Sequence, residues 1–80
     1  MQNKIYLALE AYERLLQKRP DYVPGYIQLG LLCIKLGIIS RGIEVLRAAL
    51  SQRPTQQERL FIRLEIEERK KFIHTHRIGR

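Results

Sequence analysis

The chain has few of the features that mark a secreted, membrane-spanning or disordered protein. Its 80 residues include one cysteine, three prolines, five glycines and no tryptophan. The single cysteine, Cys33, cannot form an internal disulfide, whereas small secreted domains usually depend on several. The longest apolar run, residues 29–39, contains Lys35 and is too short to cross a bilayer. We therefore expect an intracellular protein without membrane insertion, with the cytoplasm favoured over an organelle interior.

The composition indicates one folded domain with an excess of positive charge. Hydrophobic residues make up 45% and charged residues 29% of the chain, which is typical of a globular protein with a single small core. The formal net charge is +7, and residues 69–80 contribute five Lys or Arg, two His and no acidic residue. This basic segment either remains solvated or favours an anionic partner, such as nucleic acid, an acidic protein surface or lipid headgroups.

Three interruptions divide the chain into four predicted helices. Two prolines exclude helix continuation within residues 19–24, and Gly37 is suited to end a helix, with Ser40 able to cap the next. After the third break, Thr55 and Glu58 have the spacing of a capping box. The sequence therefore predicts an all-α domain over residues 1–73 and a basic tail at 74–80. The expected helices span residues 3–19, 24–36, 40–53 and 56–73.

The four helices differ in how much of their circumference is apolar. The first and third each have one apolar stripe at helical spacing, as expected for helices that bury one face. The second has two neighbouring stripes, and the outer one consists of Ile27, Leu31 and Ile34. A helix of this kind must be contacted on two sides. The apolar residues of the fourth helix fall on opposite sides: Leu60, Phe61 and Leu64 on one, and Ile62, Ile66 and Ile73 on the other.

The sequence repeats with a period of 34 residues. Residues 7–22 align with residues 41–56, so that Ala8 matches Gly42 and Tyr12 matches Leu46. A pair of helices for every 34 residues resembles the tetratricopeptide repeat (TPR) family. The resemblance implies a right-handed superhelical stack of antiparallel helices that acts as a protein-protein interaction module.

Residues 23–56 resemble one complete repeat of this family. Tyr26 stands at the family's aromatic position, and Leu29 and Gly30 stand at its Leu-Gly pair. Gly42 and Ala49 stand where the family has small residues that let the two helices of a repeat approach each other. We therefore expect a close helix crossing within this segment.

Both ends of the resembling segment are incomplete. The first helix matches the second half of a preceding repeat, and the fourth resembles a cap because residues 63–64 are not Leu-Gly. Repeat proteins bury their faces against neighbours, and about three repeats are usually needed for stability. We expect exposed apolar surface from Tyr6 and Leu7 on the first helix and from Ile62 and Ile66 on the fourth. Such surfaces favour a homo-oligomer or a subunit of a larger complex.

The resemblance assigns a binding role to the outer stripe of the second helix. In the family this face lines a concave groove that holds a partner peptide or helix; the alternative is that it packs within the chain. Some members hold a C-terminal carboxylate with polar side chains, whereas this sequence has apolar residues at the corresponding positions. We therefore expect a protein or peptide partner with an apolar anchor and an acidic rim. The candidate partner-binding residues are Ile27, Leu31, Ile34, Lys35, Ile62 and Arg69.

Catalysis and cofactor binding have little support in the sequence. The two serines suit helix positions, and Cys33 lies on an apolar stripe as a small hydrophobic residue would. His74 and His76 are two residues apart and point to different sides of a helix, so they do not form half of a metal site. We expect no enzymatic activity, no cofactor and no metal.

Two further functions stay open as alternatives. The charge of +7 favours a basic helical-repeat protein that contacts RNA in a ribonucleoprotein. Against this, no run of aromatic residues is interleaved with Arg or Lys. The other alternative is a self-assembling structural repeat without a separate ligand.

Overall fold

Four helices joined by short connections make up the chain. The computed structural model describes the backbone of residues 2–78 and the side chains of residues 4–71. The helices are α1 (Gln2–Lys18), α2 (Val23–Lys35), α3 (Ile39–Leu50) and α4 (Gln56–Ile78), and residues 2–78 contain no strand. Each helix begins within one residue of its predicted start, which confirms the all-α fold. Over this described part, no helix combines the length and the apolar character needed to cross a membrane.

Two helix boundaries differ from the prediction. α3 begins at Ile39 and has no side-chain cap, so the expected capping by Ser40 is wrong. The chain enters α3 directly from the preceding glycine turn, which leaves Ser40 inside the first helical turn. α4 continues to Ile78 through residues assigned to the tail, because no proline or glycine interrupts the sequence before Gly79.

Two other boundaries form as the sequence indicates. Gly37 has a φ of 86°, and the N–H groups of Gly37 and the next residue donate to the carbonyls of Ile34 and Cys33 at 2.9 Å. This Schellman arrangement ends α2. At the start of α4, the Thr55 N–H donates to Oε1 of Glu58 at 2.8 Å, and the Glu58 N–H donates to Oγ1 of Thr55 at 3.1 Å. The predicted capping box is therefore confirmed.

α2 and α3 cross where two glycines lie against each other. A Cβ added to Gly30 would lie 2.8 Å from Cγ of Leu46, closer than real Cβ contacts. A Cβ added to Gly42 would lie 2.6 Å from Cγ1 of Ile34 and 2.8 Å from the Gly30 carbonyl oxygen. A larger residue at either position would force the helices apart, so the predicted close crossing is confirmed.

The outer helices each join one member of this central pair. α1 packs against α2, and α4 packs against α3, so that consecutive helices are neighbours. This arrangement is compatible with a helical-repeat stack. The core has two parts, one shared by α2, α3 and α4 and the other by α1 and α2. The first contains Val23, Ile43, Leu46, Ala49, Ile62 and Ile66, and the second contains Leu16, Leu29 and Cys33.

α4 presents to the core the side that was expected to face outward. Ile62 and Ile66 are 0% and 6% exposed, whereas Leu60 and Leu64 are 58% and 66% exposed. The expectation of exposed isoleucines on α4 is therefore wrong. The isoleucine side continues along the sequence to Ile73, while the leucine side gives way to charged residues after little more than one turn. The longer apolar stripe is the buried one, because it gives α3 a longer surface to cover.

Candidate partner-binding pocket

The structure separates the apolar residues of the predicted groove. Ile27 and Ile34 are half-buried and pack against the core shared by α2, α3 and α4. Leu31, from the same stripe, lines a pocket between α1 and α2. Ile62 is fully buried, so its side chain is not accessible to a partner. Of the four apolar candidates, Leu31 alone lines this pocket.

The two charged candidates also lie in different places. Lys35 is exposed and lines the same pocket as Leu31. Arg69 lies on α4, where its Nη2 is 3.5 Å from Oε1 of Glu65. This i,i+4 pair supports the helix by about 0.2–0.5 kcal/mol. Lys35 therefore belongs to the pocket, and Arg69 is engaged within its own helix.

The pocket between α1 and α2 has a volume of about 280 Å³. This is slightly below the size of ordinary small-molecule sites, which begin at about 300 Å³, and suits a side chain that anchors a larger partner. Most of its lining is apolar, with an amide and an ammonium group adding polar character. We call it the α1–α2 pocket; its lining residues are Ala8, Tyr12, Gln28, Leu31, Leu32 and Lys35.

The 34-residue period explains why this pocket is open. Ala8 and Tyr12 correspond to Gly42 and Leu46 of α3. On α3 these two residues lie against Gly30 of α2. The corresponding surface of α1 opens instead into the α1–α2 pocket. The pocket therefore occupies the position that a helix fills one repeat later. Sequence reasoning missed Ala8 and Tyr12 as lining residues, although the offset from Gly42 and Leu46 was the signal that could have identified them.

An ion pair and a buried thiol lie on another side of the α1, α2 and α3 packing. Nη2 of Arg41 is 3.0 Å from Oε2 of Glu13, which links α3 to α1. Their side chains are 52% and 45% exposed, so the pair contributes less than about 1 kcal/mol. Burial raises the pKa of the Cys33 thiol, although the neighbouring Arg41 guanidinium opposes this shift. The thiol is therefore protonated at neutral pH and is a poor nucleophile.

A basic cleft lies between α3 and α4. It has a volume of about 570 Å³, and Leu50 and Ile66 contribute its apolar lining. Its charged lining consists of Arg47, Arg63, Lys70 and Glu67. The sequence analysis located the positive charge mainly in the C-terminal segment. It missed this cleft because Arg47 and Arg63 come from different helices and meet only when α4 packs on α3.

Large apolar side chains remain exposed on both outer helices. The α1 patch consists of Tyr6 and Leu7, and the α4 patch consists of Leu60, Phe61 and Leu64. The expectation of apolar surface on the first helix is confirmed. On the fourth helix the exposed residues are the opposite ones from those expected.

The described side chains, residues 4–71, bring together no group of three or more His, Cys, Asp or Glu that could hold a metal ion. Comparison of the chain with known protein families, with curated proteins and with solved structures gives no match.

Proposed function

We propose that this chain is a non-catalytic protein-protein interaction module of the TPR-like helical-repeat class. The 34-residue period and the glycine crossing of α2 and α3 support the class. The observation on which the function depends is the α1–α2 pocket, an open and largely apolar surface at a position that a repeat would cover with a helix. A partner covers it in place of that helix.

An amphipathic helix fits this pocket better than an extended segment. At the corresponding position one repeat later, α2 lies on Gly42 and Leu46 of α3. A helical ligand reproduces this packing by presenting apolar side chains at i, i+3 or i+4 to Leu31 and Tyr12. Lys35 at the rim favours an acidic residue on the ligand.

Affinity capture from the native host tests this function. Leu31→Glu introduces a carboxylate into an apolar contact, which costs several kcal/mol when a partner covers it. The matched control is Ile38→Glu, because Ile38 is also an exposed apolar residue but does not line the pocket. We expect a protein that is captured by the parent and by Ile38→Glu and is lost with Leu31→Glu, while circular dichroism shows unchanged helicity.

Two outcomes would contradict the proposal. If Leu31→Glu and Ile38→Glu capture the same proteins as the parent, the pocket does not bind a partner. If Leu31→Glu loses its helicity, Leu31 belongs to the core and the pocket is a packing defect of an isolated stack.

The basic cleft supports a second candidate function, contact with RNA. Arg47, Arg63 and Lys70 outnumber the single Glu67 in its lining, so it attracts phosphate groups. The lining contains no aromatic side chain on which bases could stack, which limits this candidate to backbone contacts. For a uridine oligonucleotide, we expect Arg63→Ala to reduce the salt slope of binding by about 0.7, and Leu31→Glu to leave it unchanged. Binding that does not depend on salt would exclude this function.

A further inference from the structure

We infer that the α1–α2 pocket binds α4 of a second copy of the chain, so that copies join head to tail. This inference rests on the proposed function, since it names the partner of the same pocket. It follows from two complementary surfaces at opposite ends of one chain, related by the 34-residue period.

The first surface is the α4 patch. At an offset of 34 residues, α4 aligns with α2, the helix that lies on α3. The side chains of the α4 patch are exposed and are not used by the packing of α4 on α3, which uses Ile62 and Ile66. They therefore stand ready to cover another helix in the way that α2 covers α3. The aligned pairs are Leu60 with Tyr26, Phe61 with Ile27, and Leu64 with Gly30.

The second surface is the α1–α2 pocket. Gly30 lies against Leu46 and the backbone of Gly42, whose counterparts on α1 are Tyr12 and Ala8. The same pairing between copies brings Leu64 of one chain onto Ala8 and Tyr12 of the next, both of which line the pocket. Because Leu64 replaces a glycine, this helix pair is wider than the crossing of α2 and α3. The leucine enters the pocket as a knob.

Charge supports this pairing over a random apolar contact. Glu68 is the counterpart of Ile34, which lies against Gly42, so Glu68 of one copy lies at Ala8 of the next. Lys4 is one helical turn from Ala8 on α1 and is exposed. Opposite charges therefore meet at this end of the joined helices, and the pair fixes their direction and register.

The arrangement is heterologous, because the two surfaces that meet are different. Each copy in a row uses its α4 patch toward one neighbour and its α1–α2 pocket toward the other. Such contacts produce a ring if the rotation between copies closes, and an open row if it does not. The assembly therefore grows beyond a dimer as the concentration rises.

Mixing two disabled variants tests this geometry. Leu31→Glu disables the pocket and keeps the α4 patch, whereas Leu64→Glu disables the patch and keeps the pocket. In sedimentation velocity at micromolar concentration, we expect the parent and the control Ile38→Glu to form assemblies larger than dimers. We expect each disabled variant alone to be monomeric and their equal mixture to stop at a heterodimer, since one intact contact remains.

A charge reversal provides an independent readout of the register. Glu68→Lys places like charges against Lys4 and weakens association, and adding Lys4→Glu to the same chain restores it. A parent that stays monomeric, a mixture of disabled variants that stays monomeric, or a failure of Lys4→Glu to restore association would each overturn the inference.

These results can be distinguished from those of the host capture. A host protein that depends on Leu31, together with a monomeric parent, keeps the proposed function and overturns self-docking. Assembly without any host protein supports self-docking and identifies the chain itself as the partner of the pocket.

Discussion

The central pair of helices and the two outer helices use apolar residues in different ways. α2 and α3 meet through Gly30 and Gly42, where no space remains for another carbon atom. α1 and α4 each keep large apolar side chains exposed, such as Leu7 and Leu64. The centre therefore determines how the chain folds, whereas the outer helices supply the surfaces through which it contacts other molecules.

The two sides of α4 provide the largest test of this difference. Ile62→Ala should lower the free energy of unfolding by about 2–5 kcal/mol, since it leaves a cavity in the core. Leu64→Ala should change it by less than about 0.5 kcal/mol, because Leu64 is exposed. Urea denaturation of a monomeric sample measures both values. A larger effect for Leu64→Ala would show that α4 packs with its leucine side inward.

Adding volume at the centre should have a smaller but clear effect. Ala49 is fully buried in the core shared by α2, α3 and α4. Ala49→Leu should destabilise the chain by about 1–3 kcal/mol because the surrounding helices have no space for the added carbons. The matched change on an outer helix is Ala11→Leu, at an exposed position of α1. Equal melting temperatures for these two variants would remove the distinction between centre and ends.

Removing the capping box should weaken an outer helix only locally. Thr55→Ala deletes the hydroxyl that accepts the Glu58 N–H and should cost about 1 kcal/mol. Amide hydrogen exchange should show faster exchange in the first turn of α4, with little change at the crossing of α2 and α3. Equal acceleration across all four helices would indicate that α4 and the centre unfold as one unit.

The smallest expected effect concerns the ion pair that links α1 to α3. A double-mutant cycle with Glu13→Ala and Arg41→Ala should give a coupling free energy of about 0.2–1 kcal/mol, because both groups are half-exposed. The coupling should decrease as salt rises. A coupling above this range would mean that the ion pair, rather than apolar packing, holds α1 in place.

Local signals in the sequence were sufficient for the helices and their crossing. Proline and glycine punctuation gave the helix starts, and Thr55 with Glu58 gave the cap of α4. Gly30 and Gly42 could be assigned to a close crossing because a fixed period placed them at corresponding positions. Each of these features depends on residues that are close in sequence or related by the repeat.

The orientation of α4 and the α1–α2 pocket could not be obtained in this way. α4 has apolar residues on two opposite sides, and helical spacing alone does not determine which side packs inward. The outer stripe of α2 was treated as one surface, but the packing of α3 and α4 takes Ile27 and Ile34 and leaves Leu31 in the pocket. These outcomes depend on how separate helices share one core.

The position of Cys33 gives the protein an internal reporter of motion. Its thiol is buried in the cluster that joins α1 to α2, so a thiol reagent reaches it only when that cluster opens. If α1 separates from α2 before the central pair unfolds, the labelling rate follows this local opening and depends weakly on denaturant. If the chain opens only as a whole, the rate follows global unfolding and depends steeply on denaturant. The single cysteine therefore allows the cooperativity between an outer helix and the centre to be timed without any substitution.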